Sequence, residues 1–495
     1  MPTVPLPADP DVDQLRKQAR ELQRAVRAGD ADAVALVTEF HPDPPAAPDL
    51  PLSAAQLVVA RRYGFGGWAR LRRHVEVVRA RMWSPGSPAP DGEPLTDRFL
   101  RLVCLTYSED GGSDRAGAAR LLNEHPELPS QSLAVAAACA DVAEVRRLLA
   151  ADASLATPYG WSPLLYQAYA RPDPPADRAA TLDTARLLLA AGADPNDGRF
   201  WHGLPTPFTV LTGVLGWGEH GEPWHPYATA FARLLLEAGA DPNDGQALYN
   251  RMFLANDEHL AVLFEFGLGR GAGGPWHRLL GDALESSATM LSNLLWWAVT
   301  HDQRERVALL AANGVDVTGP FHDLRARDAN GATPVETALV NGHRALAEQL
   351  IALGGDPARL TPADAFVAAA LAGDADAVRD AGPSIAVAAR RARPGLLTWA
   401  AQMGAPNSVE LLVGAGFDVN SFGRSDAPVD QPWQTALHVA AGEGNVGLAE
   451  TLLRLGADPQ LRDHRFDATP LGWARHFAHQ PLIDLLAPVT PEPDV

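Results

Sequence analysis

Three Trp-His pairs, Trp201-His202, Trp224-His225 and Trp276-His277, stand in glycine- and proline-rich text, and Trp217, Glu219, His220 and Glu222 lie between the first two. Imidazole and carboxylate groups together are the material of metal sites and of acid–base chemistry. The spacing argues against both uses: no two of these residues fall at i, i+4 on a helix, and no H-E-x-x-H occurs. A second chemistry suits the same residues better. Indole rings supply rigid contact area and histidines supply polar tips, the composition of a pocket for a peptide or a small ligand. A third reading is plain packing, with the tryptophans covering long loops. If the stretches 199–226 and 269–278 converge in space, Trp201, Trp217, Trp224 and Trp276 wall one concavity, with His202, His220, His225, His277, Glu219 and Glu222 as its polar groups. No catalytic residue, metal ligand set or cofactor follows from this pattern.

Other signatures of chemistry are missing. The chain has no G-x-x-x-x-G-K-[ST] loop and no G-x-S-x-G, and Lys17 is its single lysine, which removes any lysine mechanism from the rest of the sequence. Cys104 and Cys139 sit in apolar helical text with nothing nearby to activate a thiolate, so both read as buried thiols of a reducing compartment. The two Asp-Pro-Asn-Asp runs at 194–197 and 241–244 lack the glycine and the terminal glutamate of a calcium loop and read as turns.

The elements that must carry these residues repeat. The stretch 433–463, WQTALHVAAGEGNVGLAETLLRLGADPQLRD, places Thr435 to cap a helix and lets Leu437, Val439, Ala440 and Ala441 form its apolar face. Gly444 reverses the chain, Leu448, Leu452 and Leu453 supply the stripe of a second helix, and Gly456 ends it. The closing Gly-x-Asp turn recurs at Asp194, Asp241, Asp316, Asp356, Asp418 and Asp458. The T-x-L-H start and the Gly-Ala-Asp end of 433–463 resemble an ankyrin repeat. The wide gaps from Asp241 to Asp316 and from Asp356 to Asp418 each hide a further helix pair, at 245–271 and 361–382. TPFTVLTGVLG (206–216) reads as a repeat start with Thr206-Pro207 opening the helix and Thr209 at the histidine position. The last unit, ATPLGWARHFAHQPLIDLLAP, reads as a C-terminal cap.

Ahead of the repeats, helix–break–helix text covers 11–40 and 53–82. Leu57, Ala60, Tyr63, Gly64, Phe65 and Trp68 resemble a segment found before ankyrin repeats in bacterial proteins. The arginines of this region, among them Arg61, Arg62, Arg70, Arg72 and Arg73, could be taken for a DNA-reading helix-turn-helix. However, residues 1–83 hold 12 basic and 10 acidic side chains, a surplus of only 2, and Tyr63, Phe65 and Trp68 read as core. The whole chain carries a net charge of −19, which argues against nucleic acid or anionic lipid as a partner. The opening fifteen residues lack a signal pattern, and no run reaches the ~18 apolar residues of a membrane span.

These observations lead to one expectation for the 495 residues. The fold is all-α, over half helical and essentially without a sheet. It comprises an N-terminal helical module (1–83), a Pro/Gly-rich linker (84–96), an ankyrin-type repeat solenoid (97–488) and a disordered tail (489–495). The thiols and the lack of a signal or membrane run point to the cytoplasm, and the resemblance implies an interaction or scaffold protein that binds a protein or peptide through its concave face and insertion loops. The competing class is an enzyme or small-ligand receptor that uses the Trp/His insertions.

Overall fold

The computed structural model describes residues 6–7, 10–83, 92–107, 114–152, 154, 160–201, 206–218, 221–271, 273–321, 331–423 and 432–490. It divides into two compact units, Met1–Leu291 and Ser292–Val495. Helix accounts for 62% and strand for 3%, as an all-α fold requires.

The first unit begins with four helices, Val12–Arg27, Ala31–Phe40, Leu52–Arg62 and Trp68–Arg81. Asp11 caps the first through the N–H groups of Asp13 and Gln14. Leu15, Ala19, Leu71 and Val75 form one of its cores, and Tyr63, Phe65 and Trp68 pack against it. Those rings are therefore structural, as the sequence suggested. The next helix starts at Leu95, inside the stretch expected to be linker, while 84–91 lies outside the described residues. Helix pairs follow, beginning with Leu133–Ala138 and Val142–Ala151 and continuing with Pro163–Tyr169 and Arg178–Ala190. The last two pairs are Val210–Leu215 with Ala228–Glu237 and Gly245–Met252 with Glu258–Glu265. In each pair the first helix packs on the first helix of the next pair, and the second helix on the second. The second unit repeats this arrangement, and its helix Ala436–Gly442 is flanked by Leu396–Gln402 and Pro470–His476.

Alanine makes the close stacking possible. Ala436, Ala440 and Ala441 are fully buried, so neighbouring backbones approach where a larger side chain would hold them apart. At Gly442 an added Cβ would lie 2.9 Å from the Trp473 ring of the next repeat.

The turns are tied to one another by asparagine. Asp194, Asp241, Asp418 and Asp458 each accept from the N–H two residues on, closing their own turns. The asparagine that follows reaches across to the next turn. Asn196 donates to Gly239 O (2.9 Å) and accepts from Asp241 N (2.8 Å), and Asn420 does the same with Gly456 O (3.4 Å) and Asp458 N (2.8 Å). Asn243 accepts from Gly269 N (2.8 Å). The 245–271 unit thus keeps the repeat's tie although its own Gly-x-Asp text is lost.

Three expectations are corrected. A small sheet exists: β1 (Met82–Trp83) pairs parallel with β2 (Gly198–Trp201), and β2 pairs antiparallel with β3 (Pro207–Thr209). Pro207 consequently lies in a strand. The helix cap is Thr209, whose hydroxyl accepts from Thr212 N, so Thr212 holds the histidine position. At the other end, Ala487–Val489 is a short 3-10 turn and Thr490 is buried, so no disordered tail begins at 489; residues 491–495 lie outside the described residues.

In the unit 433–463, Leu448 and Leu452 are buried but Leu453 is only partly so. Leu452→Ala should therefore cost about 2–5 kcal/mol, and Leu453→Ala less than about 2 kcal/mol. Because coupling in stacked repeats is nearest-neighbour, hydrogen exchange on Leu452→Ala should quicken in the helices from Ala436 to Leu486 before the rest of the second unit. Uniform quickening across that unit would contradict nearest-neighbour packing.

Candidate functional site

Among the described residues, the Trp/His residues are not gathered around one cavity. Trp276 meets Phe200 and Asn196, whereas Trp217 and Trp224 form a separate ring pair, because the chain topology differs. The stretches 194–209 and 269–278 join the second helix of one pair to the next, whereas 216–227 joins the two helices within a pair. Trp201 is buried, stacked on Tyr169 (5.3 Å) and packed on Phe208 (4.5 Å), with its indole N–H donating to Thr106 O. Trp276 is also buried. It lies on a short helix, Pro275–Leu280, edge-on to Phe200 (5.6 Å) and donating to Asn196 O (2.9 Å). Arg81 of the N-terminal module covers its face at 5.2 Å. His277 faces Glu285 O (2.9 Å). His202, Glu219 and His220 lie outside the described residues. Among the described residues no group of three or more His, Cys, Asp or Glu could hold a metal ion.

Trp217 and Trp224 form a separate pair, 5.3 Å apart, on the 216–227 loop. That loop crosses itself at Gly216 (φ +59°), where a Cβ would sit 2.6 Å from Trp224 Cα, so only glycine fits. Trp224 is 40% exposed, and Arg251 lies over its other face at 5.1 Å. Beside it opens a cavity of about 240 Å³, whose wall includes Gln167, Arg171, Thr181, Trp224 and His225, with Arg115 and Asp173 exposed.

Behind the cavity is a concentration of buried polar groups. Arg171 donates to four backbone carbonyls: Pro223 (2.8 Å), Ala168 and Ala170 (2.9 Å each) and Gly213 (2.7 Å). Burial lowers its pKa to about 10, so it stays charged, and buried Glu222 interacts favourably with that charge. The His225 Nδ1 accepts from Tyr227 N (3.1 Å). Burial, then the Arg171 charge, lowers its pKa to about 3, so the ring is neutral with its proton on Nε2. Asp244 accepts from Thr209, Thr212 and Ala247 N, yet burial still raises its pKa to about 6. Cys104 is buried and Cys139 partly so, and burial raises both thiols, Cys139 to about 12; neither is an activated nucleophile.

A second site was missed by the sequence reading. The two most exposed large apolar residues of the described protein are Phe466 (61%) and Phe477 (52%), both in the last repeat. They end a run of four rings, with Phe466–Trp433 at 5.7 Å, Trp433–Trp473 at 5.3 Å and Trp473–Phe477 at 6.3 Å. Arg465 lies over both Trp433 (5.8 Å) and Phe466 (5.4 Å). Asp463 builds the loop that presents them, accepting from the N–H groups of Arg465, Phe466 and Ala468 and from the Trp473 indole (3.0 Å). Burial pushes its carboxyl up, but these hydrogen bonds outweigh that and hold it below the ordinary value. The legible signal was the cluster of aromatic residues where the repeat pattern asks for small or aliphatic ones, Trp473 above all.

His438 shows what the T-x-L-H start does. Its Nδ1 meets the Thr435 hydroxyl (2.8 Å) and its Nε2 meets Ala468 O of the next repeat (3.0 Å), so the ring joins two repeats. The ankyrin repeat family model matches residues 433–464, the stretch that contains this ring and Trp433 of the aromatic run. The chain thus carries an ankyrin repeat, a module of protein–protein interaction. Among the described residues no helix is long and apolar enough to cross a membrane.

The burial of each ring separates packing from surface. Trp201→Ala and Trp276→Ala should each destabilise the first unit by about 3–5 kcal/mol, whereas Trp224→Ala should stay within about 1 kcal/mol, as read from urea unfolding of the three variants. A pH series gives a further check. His74 and His225 have folded pKa values lowered by burial to about 4 and about 3. Their contribution is complete above about 6.5 and is lost as the pH falls, because the unfolded chain takes protons that the folded chain refuses. Asp244, raised to about 6, acts in the opposite sense, stabilising as the pH falls from about 6 to 4. Two histidines outweigh one carboxyl, so stability of the unit should drop between pH 6.5 and 4, and more steeply in Asp244→Asn. A shallower drop in that variant would contradict the assignment.

Proposed function

We propose that the protein is an interaction or scaffold module that binds a protein or peptide through the aromatic run of its last repeat. The observation that carries this reading is the exposure of Phe466 and Phe477 at the ends of four contiguous rings, next to the matched ankyrin repeat. Exposed apolar surface of this kind is uncommon on a free-standing protein and marks a contact site. Arg465 lies over two of the rings and is exposed, on a chain whose net charge is −19. A partner segment that brings an apolar side chain and a carboxylate therefore complements the run better than a second copy of this acidic chain. The two free cysteines suit a reducing, cytoplasmic setting.

The competing small-ligand reading is favoured by a different observation, the cavity beside Trp224. For the interaction reading, a photo-crosslinking amino acid placed at Phe466 or Phe477 in the full chain should trap a discrete partner in cells. The trapped peptides should be rich in Asp and Glu. Phe466→Ala with Phe477→Ala should abolish trapping from a crosslinker at Trp433 and leave stability within about 1 kcal/mol. The same products from a crosslinker at the exposed Val387, or none from Phe466 and Phe477, would remove the run as the binding surface.

A further inference from the structure

In an array of stacked helix pairs each pair touches only its neighbours, so the pairs can open one by one from the ends. The segment that follows the helix Leu95–Val103 departs from this pattern. The helix itself packs on the neighbouring Leu133–Ala138. Its continuation passes that pair over. Cys104 forms an antiparallel bridge with Ala170, Leu105 N–H donates to Tyr169 O (3.0 Å), and Arg171 N–H donates to Val103 O (2.9 Å), all at the end of Pro163–Tyr169. Thr106 O then accepts from the Trp201 indole of β2.

Tyr107 carries the contact farther. Its backbone is left-handed (φ +49°), a conformation that a side chain of this size keeps only where its surroundings hold it. Here the ring lies 5.2 Å from Phe208, 5.8 Å from Trp201 and 6.3 Å from Tyr169. A Cβ at Gly218 would sit 3.5 Å from the same ring and 3.6 Å from Asn250 Oδ1, so ring and amide meet across that glycine. Gly218 N–H also donates to Asn250 O (3.0 Å), and Asn250 belongs to Gly245–Met252.

We infer that residues 103–107 are a clasp, which fastens the helix Leu95–Val103 to the pairs that begin at Pro163, Val210 and Gly245 and makes them open as one cooperative block. The pair that is passed over, Leu133–Ala138 with Val142–Ala151, lies within the stretch of chain that the clasp closes. It is therefore held from both sides and belongs to the block. A helix end that merely trailed away would touch its own neighbour and keep a relaxed backbone, and the left-handed Tyr107 does neither. All of these contacts lie within the first unit.

Native-state hydrogen exchange of the full chain, followed by mass spectrometry over a urea series below the unfolding transition, reads this coupling. In the unaltered chain the slowest amides of Leu133–Ala138, Pro163–Tyr169, Val210–Leu215 and Gly245–Met252 should share one opening free energy and one urea dependence. Tyr107→Ala should part them, with Gly245–Met252 exchanging at least about tenfold faster than Leu133–Ala138. Tyr107→Gly, which relieves the left-handed backbone but also removes the ring, should do the same. Tyr107→Phe keeps the ring and should keep the shared value. A block held only by the seat of the N-terminal helices on β2 would stay convergent without the ring. Graded exchange from pair to pair in the unaltered chain, or convergent exchange in Tyr107→Ala and Tyr107→Gly, would overturn the clasp. Should both of those variants fail to fold, the unaltered chain decides, with graded exchange against the clasp and convergent exchange for it.

Discussion

Three turns of the repeats, at Asp241, Gly269 and Asp458, are each held by an asparagine that belongs to the preceding turn. Asn196 and Asn420 each give one hydrogen bond to, and take one from, the backbone of the following turn, and Asn243 takes one from Gly269. The aspartates close their own turns, but the glycine carbonyl and the aspartate N–H at the next turn are left to a partner, and leaving them unmet in a packed stack is costly. The asparagine meets them and fixes the spacing between repeats in the same step. His438 acts likewise at the start of the first helix, through Thr435 and Ala468 O.

Set on this frame, the insertions divide by topology. The β2–β3 hairpin and the 269–278 segment leave from the same kind of connection and converge, and their rings form a seat for the N-terminal helices. Val78, Phe200, Trp276 and Leu280 make a shared core, β1 adds to β2, and Arg81 covers Trp276 and faces Asp197 at 3.6 Å. Rings that read as a binding surface are thus occupied within the chain. The 216–227 loop leaves from the other kind of connection and is not covered in this way. Its Trp224, between Trp217 and Arg251, is still 40% exposed and forms one wall of a cavity.

How much of this was legible follows from the range of each signal. Helix pairs, caps and turns are local, and the glycines at Gly444 and Gly456 do have positive φ. The start at Thr206-Pro207 misled because strand pairing is not local: Pro207 pairs with Phe200, and the cap moves to Thr209. The fate of Trp201 and Trp276 depended on what the N-terminal module covers, which no spacing rule contains. The aromatic run at Trp433, Phe466, Trp473 and Phe477 was local enough to read, as a departure from a repeat that otherwise asks for small residues.

Trp201 and Trp276 serve as internal scaffold of the first unit, whereas Trp224 stays open to water. Fluorine NMR of the full chain labelled with 5-fluorotryptophan can read this difference, with single Trp→Phe variants assigning the resonances and the solvent isotope shift reporting access to water. The expected result is a large isotope shift for Trp224 and almost none for Trp201 and Trp276. A shift at Trp201 or Trp276 as large as that at Trp224 would contradict it.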